Sequence, residues 1–88
     1  MCDLKLIGKG IRVCRKQRGL TLEVASGLAG IDTSHLSRIE NGEYTPQLDT
    51  FIRIAFALGM APSALMAYIE EMGMPISPKE HEEEVGKE

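Results

Sequence analysis

The stretch from 19 to 42, GLTLEVASGLAGIDTSHLSRIENG, restricts the fold more than any other part of the chain. It reads as two short helices separated by a tight turn at Gly30-Ile31-Asp32. Thr21 is placed to cap the first of them, with Leu20 before it as a hydrophobic staple, and the helix should run to Ala29. Ala25, Ser26 and Ala29 are small, so another helix can cross closely. Gly30 supplies the turn, where a positive φ is cheap. Ile31 should drop into the core, Asp32 should cap a helix over 33–41, and Gly42 should close it. Leu36 and Ile39 point inward in that helix, which leaves small polar groups and one arginine along its other face.

The flanking sequence supplies three more helices. Leu4, Ile7, Ile11, Cys14 and Arg18 recur at three- and four-residue steps, which predicts a helix over 4–18 with that stripe inward. Lys5, Lys9, Arg12 and Lys16 lie largely off the stripe, Asp3 can cap the start, and Gly19 can end the helix in a left-handed conformation. Gly8 and Gly10 weaken this helix by ~1 kcal/mol each relative to Ala. Their spacing is not a phosphate loop, because no strand precedes it. A fourth helix over 48–58 should bury Leu48, Phe51, Ile52, Ala55 and Leu58, with Gly59 after it. Pro62 fits the first turn of a fifth helix over 62–72, with Leu65, Met66, Ile69 and Met72 on one side. The 43–46 segment reads as a surface loop. Gly73-Met74-Pro75-Ile76-Ser77-Pro78 breaks helix. The chain divides into a helical domain over 1–72 and an acidic, disordered tail over 73–88.

Charge sharpens that division. The net charge of −3 hides eight Lys/Arg against six Asp/Glu through residue 69, and two Lys against seven Glu from residue 70 onward. The body is mildly basic, which is weak support for a nucleic-acid partner. No apolar run approaches the roughly 18 residues of a membrane span, and the N-terminus lacks a signal region. A cytoplasmic location is expected, with no membrane partner. Cys2 and Cys14 are too few and too badly spaced for a metal site or a disulfide framework. The sequence holds no nucleophile–base pair and no phosphate loop, and His35 and His81 lie far apart. No catalytic residue, no metal and no cofactor are therefore expected.

Across 7–66 the chain resembles the phage-repressor and Cro-like helix-turn-helix family, also called XRE-like transcriptional regulators. The resemblance is carried by Ile11-Arg12-x-x-Arg15, Gly19-Leu20-Thr21, Gly30-Ile31-Asp32, Leu36-Ser37-x-Ile39-Glu40-Asn41-Gly42, Pro46 and Ile54-Ala55-x-Ala57-Leu58-Gly59, in the family's order. It implies an all-α, five-helix, lambda-repressor-like DNA-binding domain, with its third helix in the major groove of double-stranded DNA. By resemblance Thr33, Ser34 and Arg38 face the bases, with Ser37 as an addition. An arginine can bond guanine O6 and N7 together, worth ~1–3 kcal/mol of discrimination. Thr21, Asn41 and Tyr44 match the family's phosphate-touching positions, and His35 is a further candidate. Leu22 and Glu43 depart from the family pattern, the first by removing a donor and the second by placing a carboxylate near phosphate. The family also pairs an arginine of the first helix with the glutamate that ends the recognition helix, here Arg15 and Glu40. Ala25 and Ser26 stand where the motif prefers leucine and alanine, a lightly packed arrangement for which Leu28 is expected to compensate in part.

The apolar side of the fifth helix can pack in the core against the fourth; because related repressors dimerise near this region, Leu65, Met66, Ile69 and Met72 are read as a dimer patch that would set two recognition helices about one DNA turn apart over a palindromic operator. The competing reading is an antitoxin-like or antirepressor-like interaction module, with a protein partner held by the fifth helix or the acidic tail and DNA binding secondary.

Overall fold

The computed structural model describes residues 4–73, which form five α-helices and no strand. They are α1 (Lys5–Gln17), α2 (Leu22–Ala29), α3 (Thr33–Glu40), α4 (Leu48–Ala57) and α5 (Pro62–Glu71). The predicted order and type of every element hold, and the ends agree within one residue. The Asp3 cap, the state of Cys2 and the acidic tail from residue 74 fall outside the described residues.

Local chemistry explains why the ends were legible. Thr21 accepts a hydrogen bond from the Val24 amide at 3.1 Å, which caps α2. Past the last turn of α2, Gly30 turns left-handed at φ 74°, and the Ile31 amide donates back to the Ser26 carbonyl at 3.0 Å. The same device closes α3, where the Glu43 amide donates to the Arg38 carbonyl at 2.9 Å beside Gly42. Asp32 behaves differently from expectation. It holds the N-cap position in extended backbone, but its carboxylate makes no capping hydrogen bond. The turn that Gly30 sets already fixes how the chain enters α3, so the side chain contributes charge near the helix start rather than a bond.

The core is built from Ile11 and Cys14 of α1, Ala25 and Ala29 of α2, Leu36 and Ile39 of α3, Phe51, Ile54 and Ala55 of α4, Leu58 beyond it, and Leu65 and Ile69 of α5. Several residues leave the places assigned to them. Leu4 and Arg18, at the ends of the α1 stripe, are exposed, because the core reaches only the middle of that helix. Leu48 is 74% exposed, and Ile54 takes a core position instead. α4 carries two apolar stripes: Phe51, Ile54 and Ala55 face inward, while Leu48, Ile52 and Phe56 recur at four-residue steps on another side. Leu28 is also exposed, so it does not fill the space left by Ala25 and Ser26. Ile31 packs against the core without being fully buried.

The two glycines of α1 are packing residues. A Cβ on Gly8 would run into the Ile39 and Glu40 carbonyl oxygens of α3. One on Gly10 would meet the Ile69 side chain, with the Met72 sulfur beyond it. Glycine thus lets α1 touch α3 on one flank and α5 on the other. Ile69 is sealed at that second contact and Leu65 is equally buried in the core, so these two members of the predicted dimer patch have no surface to offer a partner. Met66 and Met72 remain half-buried.

Candidate nucleic-acid interface

α3 stands on the surface with its two sides sharply divided. Leu36, Ile39 and Glu40 are buried. Ser34, His35 and Arg38 are exposed, and Thr33 and Ser37 are half-buried beside them. An eight-residue helix held so firmly on one side presents the other as a rigid ridge.

Beside Leu36 and Ile39 in the core, Arg15 and Glu40 fasten the end of α3 to α1. Arg15 Nε donates to Glu40 Oε2 at 2.7 Å and Nη2 donates to Oε1 at 3.0 Å, a bidentate pair with both side chains more than nine-tenths buried. The remaining nitrogen, Nη1, donates to the Leu20 carbonyl at 2.8 Å. The hydrogen bonds that Arg15 donates to Glu40 hold the guanidinium charged and raise its pKa above the ordinary arginine value, against the opposing cost of burial. One side chain of α1 thereby ties the end of α3 to the start of the α2 segment. The family resemblance implies this pair.

The base-facing candidates do not stand alike. Arg38 and Ser34 are open. The Thr33 hydroxyl lies 2.8 Å from Ser26 Oγ, and Ser26 in turn donates to the Glu23 carbonyl at 3.1 Å. Each hydroxyl carries one proton, so Thr33 donates to Ser26 and keeps only acceptor capacity for anything outside. The departure from alanine at Ser26 was visible in sequence. Its use as a polar bridge between α2 and α3 was not.

The Arg38 guanidinium is itself engaged. Nη1 donates to the Tyr44 hydroxyl at 3.3 Å, and the guanidinium carbon lies 5.8 Å from the centre of the Tyr44 ring. The His35 ring sits 5.8 Å from the same ring, tilted by 37°. His35, Arg38 and Tyr44 therefore form one exposed cluster, which joins candidates for base and phosphate contact. The six-residue separation of Arg38 and Tyr44 carries no periodic signal, so sequence reasoning had no means to pair them. His35, Tyr44, Thr45, Gln47 and Thr50 line a concavity between α3 and α4.

On the flank of the ridge, Thr21 is exposed and its hydroxyl oxygen caps α2. Asn41 is exposed at the end of α3. Lys5, Lys9, Arg12, Val13 and Lys16 line a shallow depression with Glu40 and Asn41, which carries positive charge along the outer face of α1. Among the described residues no group of three or more His, Cys, Asp or Glu side chains is placed to hold a metal. Among the described residues no single helix is long and apolar enough to cross a membrane.

A helix-turn-helix family model, HTH_3, matches residues 11–65, more than half of the chain. The immunity repressor protein of Bacillus phage phi105 is 37% identical over 60 residues, which cover 68% of this chain and 42% of the repressor. An uncharacterised HTH-type transcriptional regulator of Sinorhizobium fredii, y4dJ, is 31% identical over 67 residues, which cover 76% of this chain and 87% of that protein. Among solved structures, the restriction-modification controller protein C.AhdI of Aeromonas hydrophila matches with a TM-score of 0.69 and 32% identity, covering 72% of this chain and 96% of that one. The chain thus spans less than half the length of the phage repressor it matches.

Proposed function

The chain belongs to the HTH_3 helix-turn-helix family, of XRE and Cro type, and we propose that it is a DNA-binding transcriptional regulator that lays α3 in the major groove of a specific duplex site. One observation carries this reading: α3 offers a rigid, solvent-facing ridge of Ser34, Arg38 and their neighbours, braced from behind by the buried Arg15–Glu40 pair. In this reading Arg38 bonds a guanine edge, Ser34 and Ser37 add hydroxyl contacts, and Thr33 accepts from an exocyclic amine. Thr21, Asn41, Tyr44 and His35 hold phosphates and fix the register. Such a ligand puts the protein in the cytoplasm and asks for neither cofactor nor catalytic residue.

The same reading includes a homodimer on a palindromic site, with a relocated patch. Leu48 and Phe56 are strongly exposed. Leu48 and Ile52 border an apolar groove with Ile7, Pro46, Phe51, Pro62 and Met66. Exposed apolar surface of this kind marks a protein contact. A second reading rests on that same surface: an antitoxin-like or antirepressor-like module that holds a different protein, with DNA binding secondary.

Selection from a random duplex pool at stated salt tests the proposal. Enrichment of a short site with two-fold symmetry is expected. No enrichment over random DNA at low salt contradicts it. Mass measured in solution, with Leu48→Asp beside the wild type, tests the dimer; a wild type that stays monomeric at high concentration favours the second reading.

A further inference from the structure

The outer face of α1 is a basic surface that the proposed interface leaves unused. Lys9, Arg12 and Lys16 are exposed and point away from the core, with Lys5 continuing the row toward Asn41. Val13, half-buried, lies between this row and the flank that carries Gly10. That flank is where α5 ends: Met72 packs against Gly10, and Gly73 is the next residue. The chain therefore leaves α5 beside the basic face. It continues as Met74-Pro75-Ile76-Ser77-Pro78-Lys79-Glu80-His81-Glu82-Glu83-Glu84, with four carboxylates within five residues.

We propose that the acidic segment containing Glu80, Glu82, Glu83 and Glu84 docks on the Lys9–Arg12–Lys16 face of its own α1 and competes there with polyanions. The dimensions fit. Glu80 lies seven positions beyond Gly73, an extended reach of up to ~23 Å, against a helix about 10–12 Å across. Residues 80 to 84 extend over ~13 Å, and Lys9 to Lys16 rise over ~10 Å along α1. The carboxylates and the cations thus match in sign and in span. Exposed pairs are individually weak and fade with salt. The docking is accordingly a low-salt, reversible contact that keeps the basic face from non-specific duplex and yields when α3 finds its site. This consequence for DNA rests on the function proposed above. The docking itself does not.

Two measurements on the full chain separate the parts. The first compares backbone amide NMR shifts of the wild type with those of a variant carrying Glu80→Gln, Glu82→Gln, Glu83→Gln and Glu84→Gln, at low salt and without DNA. Differences at Lys9, Arg12, Val13 and Lys16 that vanish at high salt are expected. Differences confined to residues 74–88 overturn the docking. So do α1 shifts that appear only on addition of DNA, since the face would then be a DNA surface alone. The second measures affinity for a random-sequence duplex. The Gln variant should bind roughly tenfold more tightly, a few weak ion pairs in sum. That gain should disappear when Lys9→Gln, Arg12→Gln and Lys16→Gln are also present. A gain that persists without the α1 cations overturns the competition on this face. If no form binds any duplex, the DNA-binding function fails, and the amide shifts still decide the docking.

Discussion

Arg38 and Tyr44 meet across the loop that comes after α3. The guanidinium donates to the phenol oxygen at 3.3 Å and lies 5.8 Å from the ring centre. Tyr44 keeps its own proton in this arrangement, so it can donate to a phosphate while its oxygen steadies the arginine. Tyr44→Phe retains the ring and removes the hydroxyl. It should weaken binding to a selected duplex about two- to tenfold, the worth of an ordinary hydrogen bond. Because the pair is exposed, the melting temperature should barely move. Fluorescence anisotropy at fixed salt reads the first and thermal melting the second. A Tyr44→Phe variant with wild-type affinity, beside a weakened Tyr44→Ala, would assign the effect to the ring alone.

The Arg15–Glu40 pair should matter to stability far more than any surface pair. Removing one partner leaves a charge buried with nothing to balance it, at a cost of about 3–5 kcal/mol. Arg15→Met and Glu40→Gln should each lower stability on that scale in urea unfolding. The double variant should cost less than the two singles added together. Strict additivity would mean that the two groups do not act as a unit.

Two glycines in helices should respond to alanine with opposite sign. Gly27 is exposed with nothing within 4 Å of an added Cβ, so Gly27→Ala should stabilise by about 0.5–1 kcal/mol. Gly8 touches the Ile39 and Glu40 carbonyls, so Gly8→Ala must push α1 off α3 and should destabilise by about 1–3 kcal/mol despite the better helix former. Denaturant midpoints check both. Equal stabilisation at the two sites would refute the close α1–α3 contact.

Cys14 is a buried thiol whose pKa is raised by desolvation, with Arg18 opposing weakly. The folded state therefore holds the thiol proton to higher pH than the unfolded chain does. Its contribution to stability is complete below the unfolded thiol pKa and declines as pH rises above it. Alkylation of Cys14 should proceed only as fast as the protein opens, and faster as pH rises through the alkaline range. Peptide mass mapping distinguishes Cys14 from Cys2. Prompt native modification of Cys14 would contradict its burial.

Those parts of the fold that could be read from the sequence rest on local chemistry. Thr21, Gly30, Gly42 and Gly59 mark helix ends through caps and left-handed turns that involve only near neighbours, so element order and ends could be read directly. Arg15 with Glu40 was legible because the family pattern pairs those positions. The rest depends on contacts between distant elements. Helical spacing gives α4 two apolar stripes and cannot say which faces inward, which is why the spacing points Leu48 to the core while the structure puts Ile54 there. Gly8 and Gly10 look like weak points until α3 and α5 are laid against them. Leu65 and Ile69 read as a dimer patch on one side of α5, and packing in the core buries both, Ile69 against Gly10. The contact of Tyr44 with Arg38 depends on how the 43–46 loop folds back, which no periodicity encodes.

The central claim is that α3 reads bases through Arg38. Its most direct test repeats the duplex selection with Arg38→Ala at the same salt as the wild type. Preference should relax at one base pair in each half-site, at about 1–3 kcal/mol per site, while the remaining positions keep theirs. A uniform loss of affinity across all sequences, with every base preference intact, would make Arg38 a phosphate contact and contradict the claim.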